Sequence, residues 1–173
     1  HKMDAMMADD FGELFNSTLE AGIRAVIILE SLRPETADLS EMVLFDHVVV
    51  HTADLGGPPS LHADLPGRKG ELLVRRRLVE ASLQLMQRCH LIEQASIDDG
   101  FVWRATDDAA SYVELLETAY SVRLKVCAAW LGREIRTHTK AGFKVLVRQN
   151  FGDWSEAFSA YGNAASERSY HER

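Results

Sequence analysis

The chain is short of cysteine, of net positive charge and of long apolar runs, and each shortage excludes something. It has two cysteines in 173 residues, Cys89 and Cys127, both inside apolar, helix-spaced patterns. That rules out a framework of disulfides like those that staple small secreted domains, and reads as two buried thiols in a reducing compartment. No apolar run approaches the roughly 20 residues a membrane span requires. No stretch combines a charged start, an apolar core and a small-residue cleavage pattern, so the expected location is cytoplasmic, with no membrane attachment. The formal net charge is −7, which argues against general, charge-driven binding of nucleic acid. There is no internal repeat and no low-complexity tract. Of four prolines, three (Pro58, Pro59 and Pro66) fall in one short stretch together with Gly56, Gly57 and Gly67.

What is present suffices for one domain burying roughly 70% of its unfolded surface. The opening "HKM" reads as a tag scar, and residues 1–15 as a flexible lead-in. Ser17 with Glu20 makes a capping box before Leu19, Ile23, Val26, Ile27 and Ile28, which predicts a first helix ending at Pro34. Asp38 with Glu41 repeats the box and predicts a second helix through "VVV" at 48–50. Leu72, Val79, Leu83 and Met86 form the stripe of a third helix from Gly70 to about Cys89. "SIDDGFVW" reads as a β-hairpin turning at Asp99-Gly100. Thr106 or Asp107 then caps further helix, with a break near Thr118. From His138 the pattern weakens. The expected fold is mainly α with a small β-hairpin: a winged-helix-like domain over 16–137, with a C-terminal helical extension and a tail over 138–173 holding one short aromatic segment.

The stretch "HTADLGGPPSLHADLPGRKGELLVRRRL" invites several chemistries. His47 and His51 share a helical face, and His62, Asp54 and Asp64 could add ligands. The residues between the two histidines are all valine, however, where a zinc hydrolase would carry a general base. "GRKGE" lacks the Lys-Ser/Thr pair that closes a phosphate loop, and Glu71 already occupies the favourable end of the helix dipole. Cys89-His90 are adjacent, and neighbours on a helix diverge by about 100°, so they form no dyad. No catalytic residue, metal or cofactor is expected.

The basic residues are harder to dismiss. Residues 66–90 carry six Lys/Arg against two Glu in a chain of net charge −7. Arg68, Lys69, Arg75, Arg76 and Arg77 would stand at the head of a recognition helix and are the candidate DNA contacts. Three consecutive arginines fan over about 200° and cannot all face one groove. Asp98 and Asp99 at the hairpin tip would also repel phosphates. Partner binding fits better, through Asp54, Pro58, Pro59, His62, Arg68, Lys69, Arg75, Arg76, Arg77 and Trp154. Trp103 and Trp130 read as core.

Longer blocks carry a resemblance. "FNSTLEAGIRAVIILESLRP", "DLSEMVLFDHVVVHTADLGGPPSLHADLP" and "GELLVRRRLVEASLQLM" resemble successive segments of the middle component of bacterial ABC-three-component systems, a group that includes the Lamassu-type anti-phage defence operons. The likeness is strongest in "VHTADLGGPPSLH" and "GELLVRR", and "DWSEAF" is similar to the family's W-x-x-E-F ending. His47 departs from it, standing where the family pattern has tyrosine. The resemblance implies a non-enzymatic adaptor without cofactor, seated on an SMC/Rad50-like ATPase and linking it to an effector, a nuclease in many systems. DNA would be met only through that complex. The rival reading is a winged-helix transcriptional regulator that binds DNA by itself.

Overall fold

The computed structural model describes residues 18–62 and 71–151. Ser17, Asp64, Arg68, Lys69, Trp154 and the aromatic segment lie outside them. Helix α1 covers residues 18–32, and α2 is Leu39–Val50. A 3-10 turn, Thr52–Leu55, opens the Gly/Pro-rich loop. Helix α3 is Glu71–Arg88, followed by strands β1 (Ile92–Ile97) and β2 (Gly100–Ala105). A short α4, Ala109–Glu114, leads into α5, Ala119–Phe151. The molecule is a helical domain with a small antiparallel hairpin, as the patterning predicts.

The Asp38 box forms as expected: the Glu41 amide donates to Asp38 Oδ1 at 2.7 Å and the Asp38 amide to Glu41 Oε1 at 3.1 Å. Val48, Val49 and Val50 are helical and fully buried, because α2 is enclosed by α3, α5 and β2. A helix enclosed on several sides needs no amphipathic period, which is why this run resembles a strand.

Three local details differ from expectation. Ile97 pairs with Gly100, so the two turn residues are Asp98 and Asp99; Gly100 opens β2 and takes the positive φ, 139°. Neither aspartate has positive φ, so this is not the turn an Asp-Gly pair would form at its centre. Cys89 is exposed at the end of α3, while Cys127 is buried. The cap of α4 also moves: Thr106 donates its hydroxyl to the His90 carbonyl and Asp107 accepts from Arg33, leaving Asp108 at the N-cap.

Ala37, between α1 and α2, lies against β2 as a third extended segment. It exchanges both backbone hydrogen bonds with Trp103, at 3.0 and 2.8 Å. This ties the hairpin to the helical core and buries Trp103.

The largest difference is at the C-terminal end. The helix does not fade at His138 but bends at Thr139 (φ 64°, ψ 163°) and runs on to Phe151. The Thr139 hydroxyl accepts from the Gly142 amide at 3.3 Å, recapping the second half. Before the bend, Leu124, Ala128, Leu131 and Ile135 face the core; after it, Phe143 and Val147 do. Eight residues from Ile135 to Phe143 leave an unbroken helix about 80° out of phase. The bend restores the apolar face that a single period cannot track.

Candidate partner interface

The first three helices are joined at one buried carboxylate. Asp46, on α2, accepts from Arg24 Nε at 2.8 Å and from Arg75 Nη1 at 2.6 Å. Arg24 lies on α1 and Arg75 on α3, so a single side chain holds all three elements. Burial works against the Arg24 charge, but Asp46 beside it wins and the guanidinium is held more firmly protonated than usual. Glu20 adds a weaker partner for Arg24 at 3.4 Å. The signal was in the sequence: Arg24 and Asp46 each interrupt an unbroken apolar run, "GIRAVIILE" and "VLFDHVVV". A charge enclosed by such a run must find an opposite charge across the core.

The three consecutive arginines fan out as helical geometry demands. Arg75 turns inward to Asp46, Arg76 donates to Ser40 Oγ at 3.3 Å, and Arg77 points to solvent. Of the described arginines of this run, only Arg77 is exposed.

The described part of the Gly/Pro-rich loop, up to His62, is bound to the helices. Thr52 Oγ1 donates to the Pro58 carbonyl at 2.8 Å, Ser60 Oγ accepts from the Ala53 amide, and the Leu61 and His62 amides both reach the Val50 carbonyl. From α5, Arg123 donates to the Ser60 carbonyl, and the Trp130 indole presses on Gly57. A Cβ at Gly57 would lie 2.7 Å from that ring, which only glycine avoids. Trp130 is therefore half-buried beneath the loop. Asp54 and Pro59 are exposed on the loop's outer side, and Pro58 is half-buried.

The three histidines His47, His51 and His62 lie close together. The rings of His47 and His51 are 4.6 Å apart, and His62 meets the Tyr120 hydroxyl at 3.1 Å and Glu20 at 3.9 Å. Among the described residues no three His, Cys, Asp or Glu side chains are grouped so that they could hold a metal ion. Burial, with the Arg75 cation and His51 nearby, lowers the His47 pKa from 6.5 to about 3. Burial and the Arg24 cation move His62 in the same direction.

A pH dependence follows with a definite sign. Below 6.5 the unfolded chain protonates His47 while the folded chain does not until about 3. The unfolded state therefore binds more protons, and stability falls as pH drops through that window, by up to about 1.4 kcal/mol per unit. Urea unfolding at pH 7 and pH 5 should show this loss, and His47→Gln should reduce it. Equal pH sensitivity in the two proteins would show that His47 is not its source.

Fold and site define a small helical domain with a β-hairpin, assembled around a buried charge cluster. The chain belongs to the family described as ABC-three component (ABC-3C) system Middle Component 2, whose model matches residues 14–157. No curated protein and no solved structure matches it. Family membership makes the chain one part of a multi-component system and implies interaction with the other components. Among the described residues no helix is long and apolar enough to cross a membrane.

Proposed function

We propose that this chain is the non-catalytic adaptor of an anti-phage defence complex of the Lamassu type. It joins an SMC/Rad50-like ATPase to an effector, a nuclease in the simplest case, and helps control the effector's activation in the cytoplasm. The observation that carries this reading is the family match over residues 14–157, which spans all of the described residues. The structure is compatible with it. A loop held at both sides by α2 and α5 presents Asp54 and Pro59 in fixed positions, so docking costs little ordering entropy. The proposed contact set comprises that loop with Pro58 and His62, the basic residues Arg68, Lys69, Arg75, Arg76 and Arg77, and Trp154. Within it Arg75 acts from inside, by fixing α3 on Asp46.

Co-expression with the ATPase and effector components of its system tests the reading. The expected result is a stable complex retained through affinity capture and size exclusion. Recovery of this chain alone would refute the proposal.

A second reading has one specific observation behind it. The Ala37–Trp103 bridge adds a third strand-like segment between α1 and α2, an order of elements shared with winged-helix domains, which use the third helix and hairpin for DNA. A regulator acting alone would bind duplex DNA in a salt-sensitive manner, and Arg77→Ala would lower the salt slope by about one unit.

A further inference from the structure

Helix α5 is apolar on the face turned away from its own core. Leu124, Cys127, Ala128, Leu131 and Ile135 point inward and are buried. On the opposite side, Val122 and Val126 are 50% and 52% exposed, with Ala119 and Ala129 above and below them on the same stripe. Leu115, in the turn before the helix, is 79% exposed. The spacing 119, 122, 126, 129 alternates three and four residues, which is the seam of a helix that packs lengthwise against another helix. A surface helix with no partner would carry polar side chains there.

The charge around this stripe decides what covers it. Arg123, Arg133 and Arg136 are exposed beside or on the stripe, Arg123 and Arg136 each with one bond to a backbone carbonyl, of Ser60 and of Ser31. Glu114 and Glu117 are exposed beside Leu115, before the helix begins; within α5 the one acidic residue, Glu134, is half-buried and occupied with His138 at 3.3 Å. A second copy of the chain fits badly. An antiparallel pairing that sets Val122 against Val126 places its twofold axis one residue from Arg123, so the two Arg123 side chains would meet. A parallel pairing aligns Arg123 and Arg133 with their own equivalents. Like charges so placed oppose association. An acidic helix meets neither obstacle: its apolar stripe would fill the seam while its carboxylates pair with the flanking arginines.

We infer that the outward face of α5, from Ala119 to Arg136, docks an acidic amphipathic helix belonging to another component of the same system. This rests on the proposed adaptor role and names a surface that the loop and α3 do not include.

The test uses the full chain co-expressed with the ATPase and effector components. One variant is Val122→Glu/Val126→Glu; a second is Arg133→Glu, which leaves the Arg123 bond to the loop in place. All three positions are exposed and none is in the folded core, so thermal unfolding should stay within a few degrees of wild type. Each variant should weaken the complex about tenfold or more, and raised salt should weaken the wild-type complex. A photo-crosslinking residue at position 126 should capture a helix of net negative charge in one of the two components. If wild type assembles and both variants assemble equally well, the α5 surface is wrong while the adaptor role stands. Capture of a neutral or basic segment, or a self-dimer abolished by Val122→Glu/Val126→Glu, would overturn the acidic partner. If wild type assembles with neither component, the adaptor reading fails and this inference falls with it.

Discussion

Asp46→Ala is expected to lower the unfolding free energy by about 3–5 kcal/mol, among the largest effects of any single substitution in this chain. The size follows from what the substitution leaves behind. Arg75 keeps a quarter of its side chain in solvent and can turn outward to recover its hydration. Arg24 is 6% exposed and cannot. Its remaining partners are Glu20, itself 46% exposed and screened by water, and the Tyr120 hydroxyl, which is neutral and cannot balance the charge. An uncompensated guanidinium in the core is the dominant penalty, and the small side-chain volume lost adds a lesser cavity term. Pairing Asp46→Ala with Arg24→Met should recover much of the loss, because it removes the orphaned charge while keeping an apolar stem in place. Urea unfolding of the three proteins measures this. A single-mutant loss below about 1 kcal/mol would mean that the three-helix junction does not depend on the carboxylate.

Phe143→Ala is expected to cost a similar amount, about 3–5 kcal/mol. Phe143 is 1% exposed and lies against Phe45, with ring centroids 6.2 Å apart. Lys140 and Lys144, on either side of it, both reach the buried Glu41 carboxylate, at 3.5 and 3.1 Å. The segment after Thr139 is thus seated across α2 by an aromatic side chain and two cations. A substitution in a tail that packs on nothing would change stability by less than about 0.5 kcal/mol, so a tail and a packed helix over 138–151 differ by several kcal/mol. A change that small would restore the tail.

Much of the helical frame is legible in the residues. The Asp38–Glu41 box, the Val79, Leu83 and Met86 stripe of α3 and the break near Thr118 are local features, set by side chains a few positions apart. They reappear in the structure with bounds moved by a residue or so. The hairpin was legible too, but its register was not. Asp99-Gly100 looks like a turn centre, yet the strands pair one step earlier, which sets buried Ile92 opposite buried Ala105 with Trp103 two residues along on the same face. The candidate surface was legible in part. The proline-stiffened loop and the fanning arginines stand as the spacing implied, whereas the outward stripe of α5 did not show, because its apolar residues merge with the inward ones into one apolar helix.

Two kinds of information therefore divide this protein. The sequence by itself determined where α2 starts, the presence of a hairpin and the family, because each is written in short-range spacing or in long blocks of matching residues. Only the tertiary structure decided that Asp46 joins Arg24 to Arg75, that Trp130 lies under Gly57, and that α5 bends and continues past His138. These depend on residues tens of positions apart meeting in the core, and no local period records which face of a buried helix will meet which neighbour.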